Sequence, residues 1–302
     1  MGLRSWLTVF VAIVSLGWSL SSAGERLVVY AVNYPLQYFA QRIAGEFAEV
    51  VMPVPPDMDP AFWQPDAAII GDFQRADLIL LNGAGYAKWV SRVSLPRRKT
   101  VDTSAGFSER YIDTEGSQTH SHGREGDHSH AGTAFTTWLD FHQAVEQARA
   151  VRDALSRLAP ERGDIFADNF LDLERDLLDL DTRLAAIVAR EPDKPLIASH
   201  PVYQYLVRRY SLNLESVMWE PDAMPSETEW QALTELREGH PAVWMFWEDE
   251  PSAENRQRLL QLGVQSVVFD PCANRPQTSD FMSVMSNNIA NLKRVFVQEI
   301  KN

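Results

Sequence analysis

Three side chains able to hold a cation or move a proton follow apolar runs in the second half of this 302-residue chain: His200 after Pro195 to Ser199, Glu248 after Ala242 to Trp247, and Asp270 after Val264 to Phe269. An imidazole and two carboxylates brought to one edge of a sheet supply the nitrogen and oxygen donors that a divalent cation such as zinc takes. Each also has an ordinary structural use. His200 can be a satisfied polar residue at a strand end, Asp270 before Pro271 can start a turn, and Glu248 can cap a helix or form an ion pair. A second concentration lies between Thr103 and Thr133, where His120, His122, His128 and His130, four of the chain's seven histidines, fall within eleven residues. Imidazoles one residue apart can share an ion, but a flexible segment loses entropy on closing around it, so such a site is weak. The alternative is a solvated low-complexity loop whose histidines are incidental.

His200 and Asp270 could also serve a nucleophile such as Ser199 in a secreted hydrolase. No Gly-x-Ser-x-Gly elbow, His-Glu-x-x-His pair or phosphate-cradling glycine loop accompanies them, and the only cysteine, Cys272, lies in no reactive motif. The expectation is a protein that is not an enzyme.

The elements that must position these residues alternate. Apolar runs at Leu27 to Val32, Val50 to Val54 and Asp77 to Leu81 read as strands, with helices expected from Pro35 to about Phe47 and from Pro65 to Arg75. The polar stretch from Thr103 to Thr133 reads as a flexible surface loop, and a helix follows to about Leu158. Apolar residues at Phe166, Phe170, Leu173, Leu177, Leu180, Leu184 and Ile187 repeat at steps of four and three, the stripe of one long amphipathic helix. Coiled-coil pairing would give a similar stripe, but a helix lying across two lobes of a single chain explains it too. Strand and helix then alternate again: a strand from Leu196 to Ser199, a helix from Val202 to Tyr210, a strand from Leu214 to Trp219, and a helix from Ser226 to Glu238 opened by a Ser226–Glu229 capping box. The fold class expected is α/β, with two lobes, each a mostly parallel sheet covered by helices, joined by one long backbone helix. Residues 24–158 form the first lobe, with a histidine-rich loop at 118–131; residues 159–192 form the linking helix and 193–302 the second lobe.

Arg4 precedes an apolar run from Trp6 to about Leu20, and small residues stand before a cut after Ala23, the pattern of a cleavable secretory signal. The run is shorter than the ~20 residues of a membrane span. Loss of residues 1–23 removes one basic residue and no acid, taking the formal charge from −13 to −14, so nucleic acid is excluded as a natural partner. Export with a single cysteine, and none near the cut to carry a lipid, suits a periplasmic protein that is not a lipoprotein.

Read together, several segments resemble the solute-binding proteins of zinc and manganese ABC importers. They are Asp59-Pro60-Ala61-Phe62-Trp63-Gln64-Pro65, Ala76-Asp77-Leu78 to Asn82-Gly83, Trp138-Leu139-Asp140, Ser199-His200 to Tyr205 with Arg209 to Leu212, Pro225-Ser226, Phe246-Trp247-Glu248 and Asp270-Pro271. The resemblance implies a monomeric periplasmic protein that captures a divalent ion between its lobes, zinc foremost with manganese or another divalent cation as alternatives, and delivers it to an inner-membrane ABC permease. It assigns His200 and Asp270 as ligands and Glu248 as a neighbour or alternative ligand. Zinc members often carry a histidine-rich loop where His120 to His130 stand. The family's other two ligand histidines fall on Ala61 and Thr136, neither a zinc ligand. Asp57, Asp59, Glu248, His142 or a loop histidine could replace them. Alternatively the cleft, bordered by Phe62, Trp63 and Trp138, holds a different small ligand, or the chain is a non-metal accessory protein.

Overall fold

The computed structural model describes residues 26–297 except 115–118, 123–125 and 130–131, and describes 119–122 and 126–129 by backbone alone. Residues 1–23, read as a secretory signal, lie outside the described residues. Among those described, no helix is long and apolar enough to cross a membrane.

The first half of the chain builds a four-stranded parallel sheet from β1 (Leu27–Ala31), β2 (Ala48–Val51), β3 (Leu78–Leu81) and β4 (Thr100–Asp102), in the order β2-β1-β3-β4. Its central strand shows why the apolar runs were legible: Leu78, Ile79 and Leu80 are all buried, because helices cover both faces of a parallel sheet. Helix α1 (Tyr34–Ala44) crosses from β1 to β2. Asn33 caps it by accepting from the Leu36 N–H, and Gly45, at φ +56°, ends it in a backbone conformation that favours glycine. Helix α2 (Ala67–Arg75) leads into β3. After β3 the chain turns at Gly83, φ +78°, where an added Cβ would collide with Ser104, Asp102 and Tyr111.

The polar stretch from Thr103 onward is not one flexible loop. Thr103, Ser104 and Phe107 are buried, since Phe107 supplies an apolar anchor and the Gln147 amide donates to the Thr103 hydroxyl. Beyond them β5 (Asp113–Thr114) pairs with β8 (Gly132–Thr133), and β6 (Thr119–His122) with β7 (Gly126–Ser129), placing His120 opposite His128 in the backbone register. The loop histidines' side chains lie outside the described residues.

Helix α3 (Phe141–Leu158) opens at the Asp140 cap, and α4 (Gly163–Val188) follows as the long helix foreseen. The residues of its expected stripe are all buried. Its first half meets the first lobe through the Asn169 amide on the Ile43 carbonyl and the Asp176–Arg42 pair at 2.7 Å. Its second half meets the second lobe through Asp181, which takes a two-pronged contact from Arg209 and the Tyr210 hydroxyl.

The second half repeats the sheet. β9 (Pro195–Ala198), β10 (Asn213–Ser216), β11 (Trp244–Trp247) and β12 (Gln265–Val268) run parallel in the order β10-β9-β11-β12. Between them lie α5 (Gln204–Tyr210), α6 (Glu227–Gly239), which carries the expected capping box, and α7 (Ala253–Gln261). α8 (Phe281–Phe296) closes the described chain and packs on α1 and α4 as well as on its own sheet. The architecture expected from the sequence, two parallel-sheet lobes with a long helix, is the one observed.

Candidate functional site

In each lobe the chain leaves the first strand in one direction and the third in the other, so a crevice opens beyond the carboxyl ends of that central pair. In the second lobe the pair is β9 and β11. His200 stands two residues past β9, Glu248 one past β11, and Asp270 two past β12. These three, with Asp57, Asp59, Glu220, Asp222 and Asp249, line one cavity of about 820 Å³ between the lobes. Among the described residues, no Lys or Arg lines it, so its potential favours cations.

His200 is only 4% exposed, and its Nδ1 lies 2.8 Å from a Glu248 carboxylate oxygen and 4.0 Å from one of Glu220. Burial pulls the imidazole's pKa down, but the hydrogen bond to Glu248 and the charges of Glu248, Glu220 and Asp59 outweigh it and hold the ring above its usual 6.5. Asp270 moves the same way. Burial, with the nearby charges of Asp249 and Glu248, raises its carboxyl to about 6 against the opposing hydrogen bond from the Cys272 N–H. The Asp270 N–H in turn donates to the Asn288 side chain.

Of the two first-lobe positions without histidine, Thr136 lines the cavity and Ala61 does not. Ala61 is fully buried and its N–H donates to Asp59. The Thr136 hydroxyl donates across the cleft to the Val202 carbonyl, so it ties the lobes together. Three further bridges cross nearby: the Trp138 indole N–H to the Pro271 carbonyl at 2.7 Å, the Tyr205 hydroxyl to the Ala134 carbonyl, and the Asn274 amide to the Pro55 and Met58 carbonyls.

Of the substitutes foreseen for the missing histidines, Asp57 and Asp59 do line the cavity, but His142 does not. It sits on α3 with Nε2 3.3 Å from Asp181, because the Asp140 cap turns that end of the helix toward α4. Nor do Phe62, Trp63 and Trp138 border the cavity. Trp63 and Trp138 are core residues, and the cavity's aromatic wall is Tyr86 and Phe135. The Ser199 hydroxyl is buried without a hydrogen-bond partner, so no serine–histidine pair forms beside His200. Cys272 is buried, its thiol pushed up by burial.

The expected ligands His200, Glu248 and Asp270 therefore share one cavity. Among the described residues, no three His, Cys, Asp or Glu side chains form a group ready to hold a metal ion. Sequence reasoning passed over Glu220, Asp222 and Asp249. Glu220 carried a usable signal, since it directly follows the run Leu214 to Trp219.

A family model described as "ZnuA: Zinc-uptake complex component A periplasmic" matches residues 29–295. The zinc-binding lipoprotein AdcA of Streptococcus pneumoniae is 25% identical over 289 residues, covering 92% of this chain and 57% of AdcA. The high-affinity zinc uptake system protein ZnuA of Bacillus subtilis is 23% identical over 284 residues, covering 91% and 89%. Relatives named AdcA are thus longer proteins, of which this chain spans 57% to 60%. The crystal structure of the Zn(II)-bound ZnuA-like domain of S. pneumoniae AdcA superposes with a TM-score of 0.77 at 22% identity, covering 91% of this chain and all of that domain. The lipoprotein YcdH of B. subtilis does so with 0.78 at 19% identity, covering 90% of this chain and all of the other.

Proposed function

Because the chain belongs to the family of periplasmic zinc-uptake component A proteins, we propose that it is the solute-binding component of a metal importer, capturing a divalent cation, zinc foremost, between its lobes. The observation that carries this reading is His200, buried beside Glu248 in an interlobe cavity walled by carboxylates and, among the described residues, lined by no Lys or Arg. His200 and Asp270 would contact the ion directly. Glu248 would contact it too or orient the imidazole through Nδ1, the usual second partner of a metal-bound histidine. The loop histidines His120, His122, His128 and His130 would gather zinc weakly.

On this reading residues 1–23 direct export and are removed, residues 24–158 and 193–302 are the lobes, and 159–192 joins them. The protein works as a monomer in the periplasm, gives its ion to an inner-membrane ABC permease and catalyses no reaction. The curated relative AdcA is named a lipoprotein, whereas the single cysteine here is the buried Cys272, far from the leader.

A second reading is favoured by Ala61 and Thr136, neither of which supplies an imidazole, and by a cavity far larger than a bare ion. On it, the family fold is kept while the cleft takes a different small ligand or the chain serves as a non-metal accessory protein. Zinc titration by calorimetry on metal-stripped mature protein separates the two. Tight binding lost in His200→Ala and retained after deletion of residues 118–131 supports the metal reading. Weak binding lost only with the loop supports the second.

A further inference from the structure

Glu220 is the cavity carboxylate whose position the fold fixes through its neighbour. The preceding residue, Trp219, is buried against Trp230 and Trp247, with ring centroids 4.6 and 6.4 Å away, and its N–H donates to the Ser199 carbonyl at 2.7 Å. That hydrogen bond locks the chain after β10 beside the residue that precedes His200. Glu220 is thereby carried to the cavity, a quarter exposed at its side chain, with one oxygen 4.0 Å from the Nδ1 that Glu248 approaches at 2.8 Å.

The 2.8 Å contact is an ordinary hydrogen bond, with one proton between His200 and Glu248, and a cation can take that proton's place. Donors bound at about 2.0–2.2 Å in a tetrahedral shell stand roughly 3.4 Å from one another. The observed 2.8 and 4.0 Å bracket that value, so small side-chain rotations turn His200, Glu248 and Glu220 into one face of a coordination shell. The first lobe contributes an independent observation. The Tyr86 hydroxyl is buried and without a hydrogen-bond partner, on a side chain that lines the same cavity and feels the charge of Asp59. From there it can donate to a water that completes the shell.

We infer that Glu220 binds the captured cation directly, joining His200, Glu248 and Asp270 in a donor set supplied wholly by the second lobe. This rests on the cation-capture reading above and names the donors that replace first-lobe imidazoles. The ring binds through a nitrogen lone pair, so as the ion arrives one proton leaves the His200–Glu248 pair for solvent.

The test is zinc calorimetry on the metal-stripped mature protein, comparing wild type with Glu220→Gln and with Asp222→Asn, which removes an equal charge from the same cavity two residues away. Glu220→Gln should weaken zinc at least about tenfold and Asp222→Asn by less than about threefold, as expected when one carboxylate is a ligand and the other only adds to the field. Equal weakening by both, or none by Glu220→Gln, overturns the assignment while leaving capture intact. A wild type that binds no zinc removes the capture reading and this inference with it.

Discussion

Asn33 in the first lobe and His200 in the second occupy the same station, two residues beyond the first strand of their sheets, and each is hydrogen-bonded to the residue that directly follows the third strand. In the first lobe that partner is Asn82, whose buried side-chain oxygen accepts from the Asn33 amide at 3.2 Å and also from Gln147. In the second it is Glu248. Neutral amides at the crevice make a sealed joint, because each supplies both donor and acceptor. An imidazole and a carboxylate at the same place stay ionisable and border the cavity. One topology, used twice, thus gives a structural pair and a chemical pair.

Metal affinity should fall with acidity from just below neutral. His200 is held above its usual 6.5 and Asp270 is raised to about 6, so both take up protons that a cation must displace as pH drops. Zinc titrations at pH 8, 7, 6 and 5 should show at least a tenfold weakening between pH 7 and 5, since each displaced proton allows up to about tenfold per pH unit. A flat profile would argue against ligation by His200.

Asp270→Asn should stabilise the metal-free protein at pH 7.5. A carboxyl whose pKa rises on folding, here from 3.8 to about 6, favours the fold only while protonated, and that contribution disappears as pH climbs through 4 to 6. The amide keeps the oxygen that accepts the Cys272 N–H. Thermal melts should show a gain on the order of 2 kcal/mol at pH 7.5, shrinking toward zero at pH 4. Equal gains at both pH values would point to a cause other than ionisation.

Thr136→Val deletes the hydroxyl that reaches the Val202 carbonyl across the cleft. A buried hydrogen bond contributes about 1 kcal/mol net, or 2–4 °C in melting temperature for a chain of this order of size. Zinc affinity should change little. If the melt is unaltered and zinc binding collapses, the hydroxyl is a ligand and not a tie.

Arg209→Met strips Asp181 of its guanidinium and leaves a carboxylate, 6% exposed, with only Tyr210 and His142. Burial alone would raise that carboxyl, and it is the Arg209 and Tyr210 contacts that keep it below its usual value. Breaking one side of such a pair costs roughly 3 kcal/mol. Chemical denaturation should find that loss at pH 7 and a smaller one near pH 4, where the stranded group protonates. A loss independent of pH would mean that Arg209 acts by packing.

Strands buried on both faces announce themselves as apolar runs, which is why β1, β3, β9 and β11 could be read, and the stripe from Phe166 to Ile187 could be read because only a helix brings those positions together. The same rule would have revealed α8, whose Phe281, Met285, Ile289, Leu292 and Phe296 follow steps of four and three behind the Asp280 cap. Pairings across the chain were beyond such reasoning. Nothing local says that His142 meets Asp181, that Trp138 reaches Pro271, or that Glu220 comes to His200 from twenty residues on. The pattern of the polar stretch also misled, since Phe107 and the distant Gln147 amide on Thr103 anchor its first part.

The bridges from the buried Trp138 and Tyr205 and from the partly exposed Asn274 join the lobes by donating to backbone carbonyls, while α4 and α8 run behind them both. Parting the walls of the cavity would mean breaking the core that folds the chain. If the cavity captures an ion as proposed, traffic through such a mouth would be governed by ligand exchange, one carboxylate letting go as another group takes hold, with the residence time set by the slowest of those swaps. A receiving protein would then take the ion by offering competing donors at the rim, where Asp57, Asp59, Asp222 and Asp249 are exposed on the walls.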